Sequence, residues 1–216
     1  MKNILYLHGF ASSGQCTKAQ YLRKKFQAFQ VEFHAVDFSP THKDFEYMTT
    51  TGLINRVRQY VLDHHLENIH IIGSSYGGLI AVHYAHRFGG VEKMLLLAPG
   101  LTWLSGGLGE DALEQWEKAG AVPVFHYAFE QELALRYDLQ VDGLCYLEPV
   151  PPAAPTTIIH GYNDTNVPIA PSRVYATDFP DSVRLIEVDA GHDLNGHLEF
   201  IWEYVQSFLL DTEQGG

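Results

Sequence analysis

The sequence predicts an α/β fold, with an open, mostly parallel sheet of about six strands and helices on both of its faces. Short runs rich in Val, Ile and Leu alternate along the chain with segments whose apolar residues recur at helical spacing. Several of the runs are continuously apolar, which is typical of parallel strands buried on both faces of a sheet. We therefore expect three layers, with the sheet in the middle.

The predicted elements follow from this alternation. Strands are expected at residues 2–7, 31–38, 69–72, 93–98, 156–160 and 183–188. Helices are expected at residues 17–29, 53–66, 76–88, 168–179 and 197–210. A polar connection is expected between the second strand and the second helix.

One long segment, residues 100–150, interrupts the pattern. It could be a pair of helices packed on the sheet edge, or a helical cap or lid whose aromatic side chains line an apolar cleft. Insertions that follow the carboxyl end of a strand lie next to the ligand site in such sheets, which favours the cap. The candidate lining aromatics are Trp103, Trp116, Phe125, Tyr127, Phe129 and Tyr137. We expect one domain over residues 1–216, with this cap inserted at about 100–150.

Composition narrows the class of protein. Of the 216 residues, 46% are hydrophobic and 19% charged, as in ordinary globular domains. A formal net charge of −12 argues against nucleic acid or an anionic membrane as partner. Cys16 and Cys145 have no motif spacing, and no apolar run has the length of a signal peptide or membrane span. We expect a cytoplasmic protein, with its oligomeric state left open.

The segment Gly73-Ser74-Ser75-Tyr76-Gly77 is the strongest chemical motif. A continuously apolar strand precedes it and an apolar helical segment follows it. Such a tight strand-to-helix turn holds the central serine in a strained conformation and exposes its hydroxyl beside a helix N-terminus. Ser75 is therefore the candidate nucleophile, and Ser74 occupies the variable position of the motif.

A nucleophilic serine needs a base, and the base needs an orienting acid. Asp164 and His192 each follow a later predicted strand, so both should lie at the same sheet edge as Ser75. The chain order is Ser, Asp, His. Asp193, which directly follows the histidine, is better suited to a turn or cap, and Asp189 is an alternative acid if Asp164 turns away.

The first strand ends in His8-Gly9-Phe10, where backbone N–H groups could hold a negatively charged oxygen. We expect the N–H groups of Phe10 and Tyr76 to form this oxyanion hole. His8 is expected to be a structural side chain hydrogen-bonded behind the loop. The sequence shows no cofactor motif and no metal motif; His83 and His86 share a helix face without a third ligand nearby.

Four separated motifs together resemble the α/β-hydrolase superfamily over nearly the whole chain. They are His8-Gly9-Phe10, Gly73-Ser74-Ser75-Tyr76-Gly77, His160-Gly161-Tyr162-Asn163-Asp164 with Val167-Pro168, and Gly191-His192. The segment Leu7-His8-Gly9-Phe10 followed by small residues is more narrowly similar to small bacterial esterases of the YqiA type. The resemblance implies a three-layer α/β-hydrolase fold that begins at the strand before the oxyanion loop.

The resemblance also implies an activity: hydrolysis of a carboxylic ester or acyl thioester through a Ser75–His192–Asp164 triad and an acyl-enzyme. The expected partner is then a small-molecule acyl ester or thioester. Two alternatives stay open. The same fold could bind a ligand without turnover, or the same triad could serve a peptidase or a C–C bond hydrolase, because the nucleophile does not fix the leaving group.

Overall fold

A computed structural model describes residues 2–102 and 108–211. These residues contain eight strands: β1 Lys2–Leu7, β2 Val31–Val36, β3 Ile69–Ser74, β4 Val91–Leu97, β5 Ala121–His126, β6 Gln131–Arg136, β7 Thr156–Gly161 and β8 Val183–Val188. Their α-helices are α1 Thr17–Phe26, α2 His42–Glu46, α3 Thr50–Asp63, α4 Tyr76–Phe88, α5 Glu110–Ala119, α6 Asp138–Gly143, α7 Ala170–Asp178 and α8 Leu198–Tyr204. Within these ranges, no helix is both long enough and apolar enough to cross a membrane.

The main sheet has six strands in the order β2-β1-β3-β4-β7-β8, and every neighbouring pair is parallel. This confirms the predicted sheet. Along β1, Leu5 and Leu7 belong to one buried cluster, whereas Ile4 and Tyr6 belong to the other. Side chains alternate across a strand, so each face of the sheet builds its own core.

Helices cover both faces. The cluster around Leu5 and Leu7 includes buried residues of α3 and α4, and the opposite cluster includes those of α1 and α8. The result is the expected arrangement of three layers. All strand carboxyl ends of the main sheet meet at one edge, so the loops after β1, β3, β7 and β8 are brought together there.

Three boundaries differ from the prediction. Helix α2 occupies part of the expected polar connection, because Thr41 and Asp44 form a reciprocal capping box at its start. Helix α3 begins three residues early, since the Thr49 side chain accepts the Gly52 N–H. The expected last helix begins as the 3₁₀ turn Asn195–His197 and ends as the π-helical turn Val205–Leu209.

The insertion is not wholly helical, which corrects the expectation for residues 100–150. Helices α5 and α6 flank an antiparallel hairpin of β5 and β6, in which Val122 pairs with Leu135 and Val124 with Leu133. The hairpin is joined to the loop after β1, because the Tyr127 N–H donates to the Ala11 carbonyl at 2.9 Å.

Helix α6 holds the insertion at a second point. The Asp142 carboxylate accepts the Thr51 N–H at 2.8 Å and the Thr51 hydroxyl at 2.6 Å. It thereby caps the N-terminus of α3, where negative charge is favourable. The insertion is thus bonded to the loop after β1 through the hairpin and to α3 through α6.

Candidate active site

Ser75 lies at the junction of β3 and α4, as predicted. Its φ of 53° and ψ of −118° are strained values for a residue with a side chain. Two backbone contacts maintain them: the Ser75 N–H donates to the Leu97 carbonyl at 2.9 Å, and the Ser75 carbonyl accepts the Gly100 N–H at 3.0 Å. The β4 strand and the loop after it therefore fix the turn.

The turn is possible because the flanking glycines have no side chain. A Cβ on Gly77 would lie 2.1 Å from the Leu7 carbonyl oxygen, and one on Gly73 would lie 2.7 Å from the Gly77 carbonyl oxygen. Both separations are too short for a non-bonded contact between a Cβ atom and an oxygen. Both positions therefore require glycine.

Three distant side chains meet at the sheet edge. His192 Nε2 lies 2.8 Å from Ser75 Oγ, and His192 Nδ1 lies 2.7 Å from Asp164 Oδ2. An ionised carboxylate only accepts hydrogen bonds, so Nδ1–H donates to Asp164 and Nε2 accepts the Ser75 hydroxyl. This arrangement leaves the serine proton directly in front of a basic nitrogen.

The Asp164 side chain is fully buried, yet all its acceptor positions are used. Oδ1 accepts the N–H groups of Asn166 and Val167 at 2.9 and 2.8 Å. Burial raises the pKa of Asp164, but the Val167 N–H and His192 more than offset it, so the pKa lies below its ordinary value. Asp164 is therefore negatively charged at neutral pH.

The loop after β1 lies against the serine. A Cβ on Gly9 would be 3.4 Å from Ser75 Cβ, which places the backbone that leads to Phe10 beside the nucleophile. The Phe10 and Tyr76 rings pack 6.1 Å apart, and the Tyr76 hydroxyl is 2.8 Å from Thr50 Oγ1. The two residues predicted to form an oxyanion hole are thus neighbours, and both line the same cavity as Ser75.

The rival residues have other partners. The Ser74 side chain is buried, and it is the Ser75 hydroxyl that lies 2.8 Å from His192 Nε2. Asp193 accepts the Asn195 N–H at 2.9 Å, as expected for a turn residue, and Asp189 accepts the Asn163 amide at 2.8 Å.

His8 has the structural place predicted for it. Its Nε2 accepts the Phe38 N–H at 3.0 Å, and its Nδ1 lies 2.8 Å from the Gly9 carbonyl oxygen. The ring is almost fully buried and ties the loop after β1 to the chain that follows β2.

A cavity of about 550 Å³ opens beside Ser75. Its walls are mostly aliphatic and come from the core and the insertion together. They include Val122, Val124 and Leu135 of the hairpin and Leu139 of α6. Its size and apolar lining are those of a site for a small organic molecule with a hydrophobic part.

The expectation that insertion aromatics line this cavity is mostly wrong. Trp116 does line it, and its Nε1–H donates to the Leu135 carbonyl at 2.9 Å. Phe125 and Tyr127 are instead exposed, by 49% and 72%. Trp103 lies outside the described residues. The remaining two, Phe129 and Tyr137, pack on other rings outside the cavity.

The hairpin residues that do line the cavity were missed by sequence reasoning. Their signal in the sequence is an apolar residue at every second position of each strand. Val122 and Val124 of β5 pair with Leu135 and Leu133 of β6. A second missed residue is His160, whose Nε2 lies 3.2 Å from Asp164 Oδ2. In the sequence, His160 is the last residue of a predicted strand and the first of a motif, and neither feature indicates a contact with Asp164.

Over residues 2–102 and 108–211, no three or more His, Cys, Asp or Glu side chains converge as a set that could hold a metal ion. His83 and His86 belong to α4; His83 is buried, with its ring 4.8 Å from that of Tyr146.

Solved structures share this fold at low sequence identity. α/β hydrolase domain-containing protein 10 from mouse is 19% identical with a TM-score of 0.77, and the match covers 97% of this chain and 89% of that one. Est1E from Butyrivibrio proteoclasticus is 15% identical with a TM-score of 0.71, covering 97% and 87%. The esterase EaEST from Exiguobacterium antarcticum is 14% identical with a TM-score of 0.64, covering 98% and 91%.

The six-stranded parallel sheet and these neighbours show that the chain has the α/β-hydrolase fold. More narrowly, residues 3–209 match the model of the uncharacterised protein family UPF0227, and the chain belongs to that family. No curated protein sequence matches the chain.

Proposed function

We propose that this protein is a serine hydrolase that cleaves carboxylic esters or acyl thioesters. The observation that carries the proposal is the continuous hydrogen-bond chain from Ser75 Oγ through His192 to the charged Asp164, with separations of 2.8 and 2.7 Å. A hydroxyl in this setting can lose its proton as it attacks, which an isolated serine does very poorly.

In the proposed mechanism, Ser75 Oγ attacks the acyl carbon while its proton passes to His192 Nε2. The oxygen of the tetrahedral intermediate takes up the negative charge near the N–H groups of Phe10 and Tyr76. His192 then gives the proton to the leaving alcohol or thiol, and the acyl group remains on Ser75. A water molecule, deprotonated by His192, attacks the ester and releases the acid and the free serine.

Each remaining feature has a part in this scheme. Asp164 fixes the imidazole with Nε2 facing the serine and stabilises the positive charge that develops on the ring. The cavity beside Ser75 suits an apolar acyl group, because most of the described residues that line it are hydrophobic. The esterases among the structural neighbours agree with this reaction class at the level of the fold.

The test is turnover of p-nitrophenyl esters by the wild type, Ser75→Ala and Ser74→Ala. We expect the wild type to release p-nitrophenol catalytically and Ser75→Ala to lose roughly 1,000-fold or more of that rate. Ser74→Ala is the matched control and should keep most of the activity, because His192 contacts the hydroxyl of Ser75 and the Ser74 side chain is buried.

The alternatives give different results. A ligand-binding protein would bind esters and leave them intact, and a peptidase or C–C bond hydrolase would prefer amide or diketone substrates over esters. Either outcome would reject the proposal in its present form.

A further inference from the structure

His160 is a buried histidine that the proposed mechanism does not use. It lies near the carboxyl end of β7, four residues before Asp164, and its side chain is fully buried. Its Nδ1 lies 2.9 Å from Ser172 Oγ, a hydroxyl on α7 that is also fully buried. Its Nε2 faces the loop that carries Asp164.

The partners of Nε2 determine how the ring is protonated. Nε2 lies 2.9 Å from the Val167 carbonyl oxygen and 3.2 Å from Asp164 Oδ2, and both of these only accept hydrogen bonds. The proton must therefore be on Nε2, which shares it between the two oxygens. Nδ1 then accepts the Ser172 hydroxyl, so the two oxygens at Nε2 fix the tautomer and the hydroxyl on α7 helps to hold the ring in place.

The same Asp164 oxygen serves both histidines. Oδ2 accepts from His192 at 2.7 Å and from His160 at 3.2 Å. With the two backbone donors on Oδ1, the carboxylate has four donors, and its rotation would break bonds on both sides. Burial lowers the pKa of His160, so this ring is neutral at neutral pH and acts as a hydrogen-bond donor without adding a charge.

We propose that His160 is a positioning residue for Asp164: by donating to the oxygen that also faces His192, it orients the carboxylate and limits how strongly that carboxylate favours a protonated His192. The proposal rests on the proposed hydrolase function for its catalytic meaning. Its physical content, the coupling between His160 and His192 through Asp164, can be measured without turnover.

The experiment is ¹⁵N-histidine NMR across a pH titration of the full chain, comparing the wild type, His160→Leu and His70→Leu. Without the His160 donor, Asp164 Oδ2 accepts one hydrogen bond fewer, so it stabilises a protonated His192 more strongly. We expect the midpoint of His192 protonation to move to higher pH by roughly half a unit in His160→Leu. His70 is the matched control, since it is another buried strand histidine but belongs to β3 and lines a different cavity, together with Lys2 and Asp211.

A merely structural His160 would change stability and leave the His192 midpoint where it is in the wild type; that result overturns the proposal. Where His160→Leu does not fold, Ser172→Ala takes its place. That variant removes the hydrogen bond that holds the His160 ring from its Nδ1 side, and we expect a smaller shift in the same direction. An unchanged midpoint in Ser172→Ala would then count against the proposal.

Kinetics separate this proposal from the proposed function. If the wild type hydrolyses esters, His160→Leu should lower kcat roughly tenfold with little change in KM, because the base is misaligned while the cavity is intact. It should also move the acid limb of the kcat/KM profile to higher pH. If the wild type hydrolyses nothing, the proposed function fails, and the NMR titration still decides the role of His160.

Discussion

Single glycines allow the backbone segments that carry the candidate site residues to pack in direct contact. At Gly161, a Cβ would lie 2.2 Å from the Ala190 carbonyl oxygen, so the loops that carry Asp164 and His192 are in contact at this point. At Gly77 the same kind of contact joins α4 to the end of β1. Glycine at these positions determines how closely the three functional side chains approach one another.

Replacing Gly161 with alanine tests this contact. We expect Gly161→Ala to lower the free energy of unfolding by roughly 1 to 3 kcal/mol, since Ala190 must move to admit the methyl group. Urea unfolding measures the change. Gly196→Ala is the control, because a Cβ there meets nothing within 4 Å, and its effect should stay within about 0.5 kcal/mol. Equal effects in the two variants would mean that the close approach at Gly161 carries no strain.

At the scale of elements, the hairpin of β5 and β6 is the part of the molecule that gives the cavity its shape. Val124 points into the cavity, and the next residue, Phe125, is exposed on the other face of the strand. The Trp116 indole and the Tyr127 N–H hold the two ends of the hairpin in place. The insertion therefore forms a fixed wall in this structure.

Filling the cavity from this wall should change substrate selection. We expect Val124→Trp to reduce hydrolysis of long-chain p-nitrophenyl esters about tenfold or more relative to the acetate ester, because the added ring occupies the space of the acyl chain. The measurement is kcat/KM across a series of acyl lengths. Phe125→Trp, one residue away on the exposed face, should leave the series unchanged; a matching change in both variants would refute the assignment of this wall.

The elements differ in how far the sequence specified them. In β3, the isoleucines Ile69, Ile71 and Ile72 place apolar side chains on both faces of the strand, because both faces are buried. Such runs made the strands of the main sheet predictable. The site followed from the rule that carboxyl ends of parallel strands share one edge. The hairpin was missed, because half of its residues face solvent and its place depends on the bond from Tyr127 to the distant Ala11. His160 was missed because its partners come from the fold of its own loop.

For the whole molecule, buried histidines link stability to pH. Burial lowers the pKa values of His34, His70, His83, His126 and His160. In the unfolded chain these side chains bind protons at a pKa of ~6.5, so the unfolded state takes up more protons as the solution is acidified. The contribution of these histidines to stability is therefore fully present above pH ~6.5 and is lost as the pH falls below it.

His83 is the clearest case. Burial, together with Arg87 and His86, lowers the pKa of His83 to about 4, so its share of stability is lost between pH ~6.5 and about 4. We expect His83→Gln to lose less stability than the wild type between pH 7.5 and pH 5, by about 2 kcal/mol. Urea unfolding at the two pH values measures this. If the two proteins lose equal stability, His83 does not contribute to the acid sensitivity.

The central claim is that the hydroxyl of one serine, Ser75, is made reactive by its place at this sheet edge. The most direct measurement is covalent labelling with a fluorophosphonate, followed by mass spectrometry of the peptides. We predict one adduct per chain, on Ser75, with no labelling of Ser75→Ala and little of His192→Ala. An unlabelled wild type, or an adduct of equal yield in Ser75→Ala, would contradict the account.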